Sequence, residues 1–443
     1  MVNIESELLE KIRQQFDSSP YPRIPLDTSP KSQSNLLYTH SLVTSYYLRN
    51  QKIIDTKDKL ILDAGCGTGY KSLVLAEANP GAKIVGVDIS AESIKLARQR
   101  LEYHGFDQAE FHVLAVEDLP TLNYQFDYIN CDELLYLFPD LTVALKAMKA
   151  VLKPDGIIRS NLHSSIQRVN YFNAQKVFTM MGLLEENPED MEMEIVVDTM
   201  KALKDSVKLK ATTWNSSYEG EDGKEQILMN FLFQGDKGYT VTDMFTALAA
   251  SDLEFISMVN WRDWELMDLF QEPDNLPAFL GMSLPDTSIE QRLQLFELLH
   301  PVHRLIDFWC GHPHPAQHIL PVAKWSDSDW RAAKVYLCPQ LKTPQFQEDL
   351  IACVREVRPF PISQYLSSSE GLVSIDSSTA PCLIPLLDQP QHMMSLVERW
   401  KKIRPIDPVT LTPTDEQQAF NIVQQLLFKL ESLGYLMLEP QAS

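Results

Sequence analysis

Two acids and three glycines stand close enough together in this chain to build a ligand site. Asp63 closes a short apolar run, Leu60-Ile61-Leu62, and Gly65, Gly67 and Gly69 follow at alternate positions. Asp88 closes a second apolar run, Ile84-Val85-Gly86-Val87. Glycines let a backbone lie close against a ligand, and carboxylates at strand tips accept from hydroxyls or attract a cation. A dinucleotide loop reads Gly-x-Gly-x-x-Gly and offers a helix N-terminus to phosphate. Here the third glycine arrives one residue early, and Asp63 would repel a pyrophosphate. A ligand with an ammonium group, a ribose and no phosphate suits the spacing. That is S-adenosylmethionine (SAM) rather than NAD, with Asp88 placed for the ribose hydroxyls.

The elements that must hold these residues follow from periodicity. Both apolar runs have the length of buried strands. Between them, Tyr70 to Ala78 carry apolar residues at helical spacing, and Asn79-Pro80-Gly81 stops that helix. Ser90 caps a further helix, Ala91 to Tyr103, which Gly105 ends. Strands are expected at 110–115, 126–131 and 156–162, with a helix at 140–152. Strand–helix alternation at these lengths predicts an α/β fold, a doubly wound and mostly parallel Rossmann-like sheet with helices on both faces.

With these elements in place, the stretch from Lys59 to Leu162 resembles the class I SAM-dependent methyltransferases, with looser similarity to about Trp261. LDAGCGTG resembles the family's first motif and VDIS its second; VEDLP (116–120), FDYINCDELLYLFPD (126–140) and VLKPDGII (151–158) resemble the later ones. The resemblance implies SAM contacts from Asp63, Gly65, Cys66, Gly67, Gly69, Asp88, Ile89, Val116, Glu117 and Asn130. It implies that Cys66 is a packing residue rather than a nucleophile. Where the family often has an acid paired with the adenine, this chain has Ala115, so backbone groups or Glu117 must serve.

Methyl transfer from a sulfonium needs positioning above all, and a base only when the acceptor starts protonated. Candidates sit at the tips of the fourth and fifth strands: Asn130, Asp132, Glu133 and Tyr136 in NCDELLY, and His163 in NLHSS. Glu133 and Tyr136 align with a Glu and a His of the family's small-molecule branch; the alternative is that Glu133 caps a helix and Tyr136 packs. The Asn-Pro-Pro-Tyr box of the family's amide methylases is replaced by Asn-Cys-Asp-Glu, which disfavours a nucleic-acid base as acceptor.

Ahead of the core, residues 4–16 read as an amphipathic helix, and FDSSPYPRIPLDTSP carries four prolines between Pro20 and Pro30. Such a stiff, extended segment either covers the site mouth or straps the surface. In the first case Tyr21, Pro22 and Arg23 line the acceptor side, or Tyr38 covers the cofactor. Residues 36–49 read as one helix. Beyond the fifth strand, residues 164–238 read as an insertion, with helices at 164–184 and 189–206 and a strand pair near 207–214 and 226–233. A helix and strand resume at 238–259.

From 263 to 443 the pattern reads as mostly helical (289–309, 344–357, 391–403, 414–433). Thr414 and Gln417 form a capping box at the start of the last helix, and a short strand at 435–438 closes a winged-helix-like module. This part loosely resembles the regulatory extensions of some protein-lysine methyltransferases. Residues 359–390 read as a long connection. The implied domains are 1–58, 59–262 with its insertion, and 263–443. Five of the ten histidines crowd into 300–318 beside Cys310. Without standard zinc spacing they read as structural, with His300 and His303 on a helix carrying Leu298, Leu299 and Ile306, and no metal is assigned.

Composition narrows the partners. The chain has 443 residues, 44% of them hydrophobic, enough for two or three domains with ordinary cores. A net charge of −21 repels phosphate backbones, so nucleic acid is not an expected partner. There is no apolar run long enough for a membrane span. Six cysteines (66, 131, 310, 338, 353, 382) lack a disulfide rhythm, which together with a charged N-terminus points to the cytoplasm. The expectation is a SAM-dependent methyltransferase acting on nitrogen or oxygen, leaning to a protein side chain, with a homodimer among the possibilities. The rival readings are a natural-product methyltransferase and a SAM-binding scaffold that does not transfer.

Overall fold

A computed structural model describes residues 13, 14, 17, 20–220, 223–313, 320–367, 371–407 and 409–440. Apart from Arg13 and Gln14, the expected helix at 4–16 lies outside them, as do His314 and His318.

Seven strands form the central sheet: β1 (Leu60–Ala64), β2 (Lys83–Asp88), β3 (Glu110–Val113), β4 (Phe126–Cys131), β5 (Leu152–His163), β6 (Glu254–Met258) and β7 (Leu305–Gly311). Their order is 3-2-1-4-5-7-6; β1 to β5 are mutually parallel, and β7 runs antiparallel to both neighbours. The doubly wound, mostly parallel sheet is therefore as expected. Successive residues in each strand point to opposite faces. Ile61, Ile84, Tyr128, Ile157 and Trp309 face one core, whereas Leu62, Val85, Ile129, Ile158 and Phe308 face the other. The first core packs on α2 (Leu42–Asn50), α3 (Tyr70–Ala78) and α4 (Ala91–Tyr103), and the second on α5 (Leu141–Ala150), α10 (Val241–Ala250) and α11 (Ile289–Leu299). The order reverses between β1 and β4, and a parallel sheet opens a crevice at such a point.

Several expectations are corrected. Residues 36–49 belong to two helices, α1 (Ser34–Thr39) and α2, broken at His40-Ser41. The closing strand β7 lies beyond the expected core border at 262, in a stretch read as helix. Its Asp307 forms a bidentate pair with Arg159 of β5, at 3.1 and 2.6 Å, so the charge that masked the strand is satisfied across the sheet. His300 caps the end of α11, His303 lies in the loop beyond, and Ile306 is in the strand. Among the described residues, no group of three or more His, Cys, Asp and Glu side chains is placed to hold a metal. No helix among them is long and apolar enough to cross a membrane.

The insertion leaves and rejoins the core at one place, where Ser164 bridges Tyr239. Its regular elements among the described residues are helices: α6 (Val169–Met180), α7 (Asp190–Ala202), α8 (Lys208–Thr213) and α9 (Lys224–Phe231). The expected strand pair is absent from the described residues, because Ile227 and Phe231, one turn apart, bury on the same helix face against Phe178 and Tyr218.

The C-terminal part holds α12 (Pro344–Arg355), α13 (Met393–Ile403) and α14 (Glu416–Ser432) around a small antiparallel sheet, β8 (Lys334–Leu337), β9 (Gln391–His392) and β10 (Leu436–Glu439), ordered 10-8-9. Asp415 caps α14, one residue after the expected Thr414. Residues 359–390 are no loose connection: Phe360, Ile362, Leu366, Ile375, Leu383 and Leu386 are buried in this core. Helix α1 ties the parts together. Tyr38 enters the C-terminal core, and Asn35 Oδ1 accepts from Ser367 N at 2.8 Å.

Candidate active site

At the reversal point lies a cavity of about 620 Å³. The glycine loop forms its floor. Gly65, Gly67 and Gly69 have φ of +75°, +50° and +81°, the left-handed region where a side chain is strained. Gly65 N and Cys66 N both donate to Val87 O, at 2.8 and 2.9 Å, which fastens the loop to the tip of β2. Gly65, Cys66 and Gly67 line the cavity, whereas Gly69 lets α3 pack closely on Ala97 of α4.

Asp88 stands beside the loop, accepting from Gly67 N and from Ser90 N at 2.9 Å each. Burial raises its pKa against those backbone hydrogen bonds. Each oxygen keeps a second acceptor position for a ligand hydroxyl. Ile89, Val116 and Glu117 continue the wall.

Asp63 does not. Its side chain accepts from Ser72 Oγ (2.6 Å) and Asn130 Nδ2 (2.9 Å), is 2% exposed and does not line the cavity. Burial pushes its pKa up to about 6. Asp63 and Asn130 therefore brace the loop from behind rather than meet a ligand. Cys66 is a cavity-wall residue whose thiol burial holds well above the ordinary value, which suits packing and not nucleophilic attack.

The proline-rich segment covers the loop. Thr68 N donates to Tyr21 O (3.0 Å) and Thr68 Oγ1 to Pro22 O (2.7 Å). Arg100 of α4 donates to Ile24 O, Pro25 O and Thr68 O at 2.7, 2.8 and 3.0 Å. Strap and cover are thus one structure: Tyr21, Pro22 and Ile24 line the cavity. Arg23 does not line it; its backbone N donates to Glu225 Oε1 of the insertion at 3.3 Å. Tyr38 does not line it either. It borders a separate cavity of about 170 Å³ against the C-terminal part.

Opposite the loop, Asp132 and Glu133 line the far end, and Asn161 of β5 clamps them, accepting from Glu133 N (2.9 Å) and donating to Asp132 Oδ1 (2.5 Å). Glu133 has φ +57°, strain of the sort that gathers at functional sites. Asp132 Oδ2 pairs with Lys71 Nζ at 2.7 Å. Burial opposes its charge, yet Arg159 and Lys71 hold its pKa well below the carboxylate range. His163 and Tyr136 are buried behind Glu133 and do not reach the cavity.

Sequence reasoning missed Lys71, Arg159, Asp236 and Arg304. Only Lys71, in the first turn after the glycine loop, carried a positional signal.

The contacts around the loop suit SAM. The loop presents bare backbone and a buried carboxylate. Among the described residues, the pocket-lining Lys71 is tied to Asp132, which leaves no cationic cradle for a phosphate but suits a ribose and a sulfonium. The residues fit.

Residues 55–236 match a family described as "Methyltransferase domain". An uncharacterized protein of Synechococcus sp. is 26% identical over 71% of this chain and 73% of its own length. The ubiquinone biosynthesis O-methyltransferase of Haemophilus ducreyi is 36% identical over 106 residues, 23% of this chain and 43% of that protein, so the chain spans less than half of such enzymes. The fold resembles PKMT2 from Rickettsia typhi in complex with AdoHcy, with TM-score 0.59 and 16% identity over 95% of this chain and 78% of that one. From the glycine loop, the Asp88 wall and these matches together, residues 55–236 form a class I SAM-dependent methyltransferase domain, with SAM as its cofactor.

Proposed function

We propose that this methyltransferase acts on a nitrogen or oxygen of a protein side chain. One observation carries the reading: the cavity runs unbroken from Asp88 and Glu117 to Asp132 and Glu133, so donor and acceptor share one chamber. SAM supplies an electrophilic methyl group on a sulfonium. Asp88, Ile89, Val116 and Glu117 would hold its nucleoside, and the backbone of Gly65 to Gly67 its amino-acid part. Tyr21 shields the chamber from water, and burial pushes its hydroxyl up to about 12, which keeps it neutral. Glu133 and Asp132 stay ionised and orient the acceptor. The size of the insertion and of the C-terminal part, beyond what a small metabolite requires, supports a macromolecular acceptor, and the −21 charge favours a basic one.

A small apolar acceptor is the second reading. Leu114, Leu134, Leu137, Phe138 and Val143 give much of the chamber an apolar lining, and the Haemophilus ducreyi relative is named for ubiquinone biosynthesis. Tritiated SAM added to a lysate of the source organism separates the two. Label on a polypeptide band supports the protein acceptor, and label in organic extract supports the small molecule. SAM binding without any label would mean a chain that binds the cofactor and transfers nothing.

A further inference from the structure

Three side chains from three segments converge on the Glu133 carboxylate. Tyr136 Oη donates to Oε2 at 3.1 Å, Arg304 donates to both oxygens, and His163 Nε2 stands 3.5 Å from Oε2. The Tyr136 ring stacks on the imidazole, with centroids 3.8 Å apart and planes at 18°. On the far side of His163, Nδ1 lies 2.6 Å from Oδ1 of Asp236, whose side chain is fully buried. Asp236 comes from the returning end of the insertion. Its other oxygen accepts from Arg168 Nη2 (3.2 Å) and Gln175 Nε2 (2.9 Å), so it cannot swing away.

We propose that Asp236 is a positioning residue for methyl transfer, completing through His163 a line Asp236–His163–Glu133 that takes the acceptor's proton out of the chamber. The proposal rests on the methyl-transfer reading above. Arg304 Nη1 lies 3.1 Å from Nε2 and can only donate, so at rest Nε2 keeps its lone pair and the proton sits on Nδ1 against Asp236.

The atoms balance. The acceptor's lone pair forms the bond to the methyl carbon as the carbon–sulfur bond breaks, and that bond's electrons stay on sulfur as a neutral thioether. The acceptor's proton passes to Glu133 and on to His163 Nε2, and it returns to solvent through Glu133, which lines the cavity, once the products leave.

Glu133 alone would not serve. Arg304 already donates to both of its oxygens and Tyr136 to one, so a proton arriving there displaces donors in place. A carboxylate so held releases any proton it receives, and an imidazole is by nature far more basic. The groups facing His163 are Glu133, Tyr136 and Arg304 at Nε2, Asp236 with Arg168 behind it at Nδ1, and Glu297 beyond Ser164. Asp236 is the carboxylate that stabilises an imidazolium without touching the acceptor.

The test uses the full chain labelled with ¹⁵N-histidine, the His163 signal being identified by its loss in His163→Gln. Neutral His163 is expected as the Nδ1-protonated tautomer, a readout of the unaltered protein that no folding defect can confuse. In the labelling assay, Asp236→Asn is expected to slow transfer at least tenfold and move the acidic limb of its pH profile to lower pH, while SAM affinity by calorimetry holds. An Nε2-protonated tautomer, or transfer indifferent to Asp236→Asn, overturns the proposal and leaves the methyl-transfer reading standing. Loss of SAM binding in the unaltered chain removes that reading and this proposal with it.

Discussion

The carbonyl of Tyr21 fills the space that a Cβ on Gly67 would need. A segment from the start of the chain thus seats on the glycine loop only because the loop is bare. The relationship makes the strap part of the cofactor chamber rather than an ornament of the surface.

Gly67→Ala meets two penalties there, the φ of +50° and the overlap with Tyr21. It is expected to weaken SAM at least tenfold in calorimetry. Gly105→Ala is the control: its φ is +83°, but nothing lies within 4 Å of the new atom. That change should cost about 1 kcal/mol of stability and leave SAM affinity unchanged.

Arg100→Ala removes three hydrogen bonds to the carbonyls that pin the strap. Charge-assisted bonds contribute about 1.5–3 kcal/mol each and do not add fully. SAM affinity should fall about tenfold, and limited proteolysis should begin within residues 20–27, with the sheet intact by circular dichroism. Unchanged cleavage and affinity would mean that the strap is held by other contacts.

Stability should depend on pH with opposite signs at two buried groups. Burial first, then the Arg159 charge, lowers the His40 pKa to about 4, below its unfolded 6.5. Folding keeps His40 neutral, so its contribution is full above pH 6.5 and is lost as pH falls toward 4. Burial raises the Asp63 pKa to about 6 from 3.8, so its contribution is full below pH 3.8 and is lost as pH rises through 6. Each window amounts to about 3 kcal/mol. Urea unfolding of His40→Gln should show the unaltered chain losing ground to the variant on acidification, and Asp63→Asn should show the reverse. Parallel curves would contradict both assignments.

The first βαβ unit was legible because its strands, helix and stops each obey one periodicity. The glycine loop and Asp88 followed from spacing alone. Asp63 misled because a strand tip says where a carboxylate starts and not what takes it: Ser72 and Asn130, from other elements, reached it first. β7 was hidden because Asp307 breaks its apolar run, and its partner Arg159 lies far off in sequence. VKLKATTW at 207–214 alternates like a strand, yet Lys208–Thr213 is helical, with Leu209 packed against the insertion's own core. The convergence of Asp236 and Arg304 on His163 and Glu133 belongs to tertiary contacts that no local pattern encodes.

The central claim is that the chamber beside the glycine loop holds SAM with its ribose on Asp88. Isothermal calorimetry of SAM with Asp88→Ala tests it most directly. The account predicts a loss of roughly 1.5–3 kcal/mol, about 10- to 150-fold in Kd, with the fold retained. An affinity equal to that of the unaltered chain would contradict it.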